Sequence, residues 1–177
     1  MARLRKFCAY RRIERPYTRT SKYKQKSYIK AQPKHIIVRF DMGNPKKTYD
    51  YTLELKSKSD LQIRHNAIES ARQSSNRMLE KTIGTNEYAF KVMIYPHHIL
   101  RENPLAAGAG ADRFSTGMSH SFGKPISVAA QVKKGQTMFR LQVNKQNLKI
   151  GRDALRRCQH KVPCGCIIDI IKNPSKN

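Results

Sequence analysis

The stretch Thr137-Met138-Phe139-Arg140-Leu141-Gln142-Val143 places large apolar side chains at every second position. Successive side chains of a β-strand point to opposite faces, so Phe139, Leu141 and Val143 predict one buried face. The apolar run Ile126–Val132 precedes it and predicts a second strand, joined to the first by a turn around Lys133–Gln136. This pair of strands is the starting point for the fold.

Further strand patterns lie on both sides of that pair. Tyr49–Leu55 and Tyr88–Tyr95 alternate apolar and polar residues, as half-buried strands do. His35–Phe40 and Ile167–Ile171 are rich in β-branched residues and are predicted to be strands as well.

Two segments have helical rather than strand periodicity. Ser59-Asp60-Leu61-Gln62 has the form of a capping box and predicts a helix that starts there and stops near Gly84. A second helix is predicted from about Asn147 to His160, with Leu148, Leu155 and Cys158 facing inward. Helices and strands interleave without a regular βαβ repeat. The pattern therefore predicts an α+β fold, a two-layer sandwich with both helices on one side of a mixed or antiparallel sheet.

Charge is the dominant feature of the composition. The 177 residues include 36 Lys and Arg but only 12 Asp and Glu, which gives a formal charge of +24. Such a chain repels itself unless a polyanion is present, and a nucleic-acid partner accounts for the excess. The sequence holds no apolar run of the length that crosses a membrane, and no apolar stretch follows the first basic residues as in a secretory signal. We therefore expect a cytoplasmic protein with no membrane partner and no disulfide framework.

The cations are densest in the first 35 residues, which carry twelve Lys and Arg and a single acid, Glu14. This segment has too few apolar residues to form its own core, but five aromatic residues are spread among its cations. Cations neutralise phosphates and aromatic rings stack on bases, so we interpret residues 1–35 as a basic RNA-binding extension and residues 36–177 as the core domain. The simpler alternative is a solvated or nuclear-targeting arm. The candidate RNA-binding residues are Arg3, Arg5, Lys6, Arg11, Arg12, Arg15, Arg19, Lys22, Lys24, Lys26, Arg113 and Lys124.

Residues 96–125 show neither the helical nor the strand periodicity of apolar residues and are predicted to form a long loop within the core domain. The loop contains a Gly/Ala-rich stretch at 105–111, which allows close backbone approach to a partner, although a surface loop without function has the same composition. Two enzyme motifs fail here. Arg113 replaces the third glycine of a dinucleotide fingerprint, and Pro125 stands where a phosphate-binding loop needs Ser or Thr. With no catalytic constellation, neither an enzyme nor a cofactor is predicted.

A group of cysteine and histidine residues near the carboxyl terminus has the ligand types of a zinc site. The residues are Cys158, His160, Cys164 and Cys166. The single residue between Cys164 and Cys166 is tighter than the usual spacing, and Cys158 falls on the apolar face of the predicted helix. The favoured interpretation is buried small side chains with no metal bound.

The segments Ala111–Met118 and Phe122–Pro125 resemble the signature of a family of large-subunit ribosomal proteins. This is the L-ten-e family of archaea and eukaryotes, the counterpart of bacterial L-sixteen. The likeness extends to Arg15–Thr18, to His97–Arg101 and to Ala154–Arg157.

The resemblance implies a hammerhead-like sandwich that binds large-subunit rRNA below the central protuberance and has other ribosomal proteins as neighbours. It also implies that the long loop reaches toward the peptidyl-transferase region and tRNA. The tRNA-facing residues would be Arg101, Asn103, Leu105, Ala106, Gly108 and Gly110. A chromatin-type DNA-binding protein would share the charge, but the aromatic residues of the extension favour RNA.

Overall fold

A computed structural model describes residues 5–103, 110 and 123–174. These residues form eight strands and two α-helices: β1 (Asp41–Gly43), β2 (Tyr51–Ser57), β3 (Leu61–Arg64), α1 (His65–Thr82), β4 (Tyr88–Val92), β5 (His98–Glu102), β6 (Lys124–Val132), β7 (Thr137–Val143), α2 (Leu148–Gln159) and β8 (Cys166–Lys172). One sheet has the order β1-β4-β7-β2-β8 and the other β3-β6-β5, and every strand pairing is antiparallel. The α+β prediction is confirmed. No helix in the described ranges has the length and hydrophobicity needed to cross a membrane.

The central strand of the five-stranded sheet is β7, the strand predicted from its alternation. Phe139, Leu141 and Val143 are completely buried. Helix α2 covers this face closely, because Gly151 has no side chain to separate the helix from Leu141. A Cβ on Gly151 would lie 3.2 Å from Leu141 Cδ2, which is tighter than ordinary packing. Helix α1 packs beside α2, so both helices belong to one layer of the core.

The predicted strand at His35–Phe40 is wrong, because only Asp41–Gly43 pairs with a neighbouring strand. Two backbone N–H groups of this segment donate to side chains of α1 instead of to a sheet. Ile36 N lies 3.1 Å from His65 Nδ1, and Val38 N lies 3.4 Å from Glu69 Oε2. The β-branched run is therefore extended but held against a helix.

The first helix starts later than the capping box predicted. Leu61–Arg64 forms β3, and the helix begins at His65. All three residues Leu61, Gln62 and Ile63 are buried, so both faces of this short strand are covered. The predicted end is confirmed, since the helix stops at Thr82 and Gly84 follows in the left-handed region with φ 87°.

The two runs Ile126–Val132 and Thr137–Val143 are both in strands, as predicted, but they lie in different sheets. Strand β6 pairs with β3 and β5, whereas β7 pairs with β2 and β4. The turn at Lys133–Gln136 therefore carries the chain from one sheet to the other, and the single predicted sheet is divided into two.

Candidate nucleic-acid interface

Residues 5–35 lie across the three-stranded sheet with almost no regular secondary structure of their own. Their backbone is hydrogen-bonded to each of the three strands in turn. Arg11 O accepts from Gln62 N of β3, Glu14 O accepts from the Gln131 side chain of β6, and Tyr17 O accepts from Ile99 N of β5. The extension thus has a defined path on the core domain.

Two glutamine side chains hold the first half of this path. Gln62 Nε2 donates to Tyr10 O at 3.3 Å and to Arg12 O at 2.5 Å. Gln131 Nε2 donates to Glu14 O at 2.9 Å and also to Gln62 Oε1 at 3.3 Å. Only 3% of Gln62 is exposed, so the extension buries the side chain that anchors it.

The second half of the path is fixed by a histidine and a small apolar cluster. Tyr17 N donates to His98 Nδ1 at 2.8 Å, which requires that nitrogen to be unprotonated. Burial of the ring lowers the pKa of His98, and the positive charge of Arg101 lowers it further, while Glu14 opposes the shift. Ile29 of the extension packs with Ile99 of the sheet in a cluster that Tyr17 also contacts.

The docked backbone presents its cations to solvent. The candidate residues that the structure describes are all exposed: Arg5, Lys6, Arg11, Arg12, Arg15, Arg19, Lys22, Lys24, Lys26 and Lys124. Arg5 forms an ion pair with Glu102 at 2.6 Å. Because the main chain is already ordered, these side chains can meet a polyanion without the entropic cost of first ordering the segment.

A cleft of about 630 Å³ opens where the extension meets the end of β5. Its lining consists of Arg15, Pro16, Tyr17, Thr18, Arg19, Tyr28 and Arg101. The Arg101 guanidinium lies 4.0 Å from the centre of the Tyr17 ring, and that of Arg19 lies 5.4 Å from the centre of the Tyr28 ring. The Tyr17 hydroxyl donates to Tyr28 O at 2.6 Å and so links these two Arg–Tyr pairs. Three guanidinium groups, two aromatic rings and no acid among these lining residues suit a site for phosphates and stacked bases.

This cleft unites residues that the sequence assigned to different partners. Arg15 and Arg19 were predicted to bind rRNA, and Arg101 was predicted to face tRNA. Asn103 and Gly110 are described, but neither lines the cleft. The predictions for Arg3, Leu105, Ala106, Gly108 and Arg113 lie outside the described residues.

A second basic surface, which no sequence pattern had indicated, lies on the helix layer. Arg77 and Lys81 of α1 and Arg157 of α2 are exposed and line a common groove. The four-residue spacing of Arg77 and Lys81 placed both on one face of a helix. The contribution of α2 depended on how the two helices pack, which no local pattern indicates.

The face of the five-stranded sheet that points away from the helices differs from these basic surfaces, because its charged side chains form ion pairs with one another. The register aligns one charged residue from each strand in a single row: Asp41, Lys91, Arg140, Glu54 and Asp169. Ion pairs along the row join Lys91 to Asp41 at 3.1 Å and Arg140 to Glu54 at 2.8 Å. Hydrogen bonds from Arg140 and Thr137 lower the pKa of Glu54 although burial opposes this. This row presents far less unbalanced positive charge than the extension does.

The weak zinc candidate is not assembled. In the described part of the chain, no three His, Cys, Asp or Glu side chains converge as metal ligands. Cys158 is completely buried, with its Sγ 2.9 Å from Ser75 Oγ, whereas His160 is exposed. Cys164 and Cys166 do lie together, with their sulfur atoms 3.7 Å apart.

Comparison of the sequence with known proteins identifies the class to which this chain belongs, a family of ribosomal proteins. A family model described as ribosomal protein L16p/L10e matches residues 14–169. A protein of Methanococcus maripaludis named large ribosomal subunit protein uL16 is 45% identical over 169 residues, which cover 96% of this chain and 95% of that protein. Proteins of the same name from Hyperthermus butylicus and Staphylothermus marinus are each 45% identical, over 88% and 84% of this chain and 83% and 82% of their own lengths. The chain therefore belongs to the L16p/L10e family of ribosomal proteins.

Proposed function

We propose that this protein is a structural constituent of the large ribosomal subunit and binds large-subunit rRNA by neutralising phosphates. The observation that carries the proposal is the docked extension, whose backbone is tied to three strands while its cations point outward. Bound counterions leave an RNA when such cations replace them, and this release drives association. The family membership and the names of the relatives support the ribosomal assignment.

The Arg–Tyr cleft is the part of this surface that can do more than neutralise charge. Guanidinium groups of Arg15 and Arg19 supply donors for phosphate oxygens, which fix the position of an RNA backbone. The exposed ring of Tyr28 offers a face on which an unpaired base can stack. We propose that a single-stranded or bulged nucleotide of rRNA occupies this cleft.

The test is a salt titration of binding to a structured fragment of large-subunit rRNA. The triple variant Arg15→Gln/Arg19→Gln/Arg101→Gln removes up to three phosphate contacts, so the slope of log affinity against log salt should become shallower by about 2–3. The matched control is Lys47→Gln/Lys56→Gln/Lys91→Gln, which removes three cations that already form ion pairs. Its slope should change by less than about 1.

Three outcomes would count against the proposal. A wild-type slope near zero would refute phosphate neutralisation, and equal effects of the two triple variants would refute the assignment of the interface. Binding of duplex DNA as tight as that of the rRNA fragment would favour the chromatin alternative. In cells, the protein should sediment with the large subunit at high magnesium and leave it at high salt.

A second element of the proposal is the Gly/Ala-rich loop, which we propose faces tRNA in the ribosome. Apart from Gly110, it lies outside the described residues, and the sequence resemblance supports this role. Deleting residues 105–110 should leave rRNA binding intact and impair translation at the step of tRNA accommodation. Loss of rRNA binding by a folded deletion variant would instead make the loop an assembly contact.

A further inference from the structure

The segment Cys164-Gly165-Cys166 connects α2 to β8 and brings two thiols together. The sulfur atoms of Cys164 and Cys166 are 3.7 Å apart, and the Cys166 sulfur also lies 3.5 Å from Cys164 O. Cys164 is half-buried and Cys166 is 7% exposed. Cys164 is therefore the more exposed residue of the pair.

The surroundings of Cys164 favour its thiolate. Ser57 Oγ lies 3.8 Å from Cys164 Sγ, and the thiols of Cys164 and Cys166 share a hydrogen bond. The hydrogen bond shared with Cys166 lowers the pKa of Cys164 to about 7; burial opposes this shift, and Ser57 adds a smaller lowering effect. The pKa of Cys166 is raised, because its proton is held between the two sulfur atoms and its surroundings are partly buried. The pair thus combines a nucleophilic thiol with a second thiol poised to follow it.

The other two cysteines in the chain differ from this pair and serve as internal references. Cys158 is completely buried, and burial raises its pKa to about 12 despite a hydrogen bond from Ser75. Such a thiol is inert. Cys8 is exposed, but it lies in the extension. Neither has a second sulfur partner comparable to that of Cys164.

We propose that Cys164 and Cys166 form a redox-active dithiol that closes to an intramolecular disulfide on reaction with a small-molecule disulfide. The Cys164 thiolate attacks one sulfur of the small disulfide, breaks its S–S bond and releases one small thiolate. The Cys166 thiol then loses its proton and attacks Cys164 Sγ, which releases the second small thiolate. In net terms one S–S bond forms and one breaks, the two cysteines are oxidised, and the small disulfide gains two electrons. The two small thiolates become thiols by taking up the proton lost from Cys166 and one from water.

The local backbone permits this closure. The sulfur atoms must approach from 3.7 Å to about 2.05 Å. The residue between them is glycine, which restricts the backbone least. Lys58 N donates to Gly165 O at 3.0 Å, and Ser57 pairs with Cys166 at the start of β8. These contacts hold the Gly165–Cys166 end of the segment, so closure requires movement of the two side chains and of the backbone at Cys164.

The test uses the full-length Cys8→Ser protein incubated with glutathione disulfide. The expected product has lost two of its three thiols, carries no glutathione, and yields a tryptic peptide 162–172 lighter by two hydrogen atoms. With Cys166→Ser added, the second step is blocked and glutathione should remain attached to Cys164. With Cys158→Ser added instead, the product should match that of Cys8→Ser alone.

Three results would overturn the proposal. They are an unchanged peptide 162–172 at an excess of oxidant, a stable glutathione adduct in the protein that retains Cys166, and disulfide formation that survives Cys164→Ser. The peptide measurement requires no substitution at the dithiol, so it decides the question even if a dithiol variant fails to fold. Protection of both thiols by zinc ions without any disulfide formation would assign the pair to metal binding and would also refute the redox role.

Discussion

The side chain of Gln62 should control whether the basic extension stays on the core domain. Gln62→Ala removes both hydrogen bonds that its Nε2 donates, to Tyr10 O and Arg12 O, and the bond that its Oε1 accepts from Gln131. The backbone bond from Gln62 N to Arg11 O is retained. The variant therefore weakens the attachment of the extension without deleting it.

The expected magnitude follows from the number of lost bonds. A net hydrogen bond contributes about 0.5–1.5 kcal/mol, and the exposed Arg12 can recover part of the loss from water, so the three bonds together amount to about 2 kcal/mol. At about 1.4 kcal/mol per factor of ten, the fraction of molecules with a detached extension should rise roughly 30-fold. The core domain should keep its fold, since β3 still pairs with β6 through its backbone.

Limited proteolysis with trypsin measures this directly, because the extension is rich in exposed Lys and Arg. The initial rate of cleavage within residues 5–26 should rise by about the same factor as the detached fraction, provided that opening is fast relative to cleavage. Gln142→Ala is the matched control, since Gln142 lies in the other sheet and should leave the rate unchanged. A Gln62→Ala protein that is folded and cleaved at the wild-type rate would refute the role of this side chain.

Two further predictions concern buried charge and pH. Glu69→Ala leaves Arg72, which is only 8% exposed, without its carboxylate and should lower the free energy of unfolding by about 3–5 kcal/mol. Denaturant unfolding measures this loss, and the double variant Glu69→Ala/Arg72→Met should recover part of it. A loss below about 1 kcal/mol would contradict the prediction. Burial lowers the pKa of His98, so the unfolded chain binds a proton at this side chain more readily than the folded protein does. The attachment of the extension should therefore be strongest above about pH 6.5 and should weaken as the pH falls below that value. Cleavage of the extension by an acid-tolerant protease should rise with falling pH in the wild type, and His98→Asn should flatten that dependence.

Helices and strands with a clear periodic pattern of apolar residues could be predicted from the sequence. The alternation around Phe139 identified the central strand because a half-buried strand must segregate its side chains by face. Helix α2 was found for the same reason, with Leu155 and Cys158 inward as predicted. A local pattern does not indicate which sheet a strand joins. The turn at Lys133–Gln136 has the sequence of a hairpin turn, but it connects strands of two different sheets.

The remaining differences arise from long-range contacts. His35–Phe40 has the composition of a strand, but Glu69, some thirty residues further along, accepts one of its N–H groups. The extension has too little apolar surface to predict docking, and its attachment instead uses backbone carbonyls and two glutamines from distant strands. The cleft likewise depends on Tyr17 and Arg101, which are 84 positions apart and which the sequence assigned to separate roles.

The charged row on the outer face of the five-stranded sheet makes the distribution of charge over the protein surface uneven. A polyanion gains little at this row, where Lys91 and Arg140 are already neutralised by acids of neighbouring strands. The exposed cations of the extension and of the helix groove lie on other surfaces. On the proposed rRNA-binding function, long-range attraction would turn the protein so that its basic surfaces meet the RNA first and this row last. The three acids of the row would then orient the protein during association without binding RNA themselves.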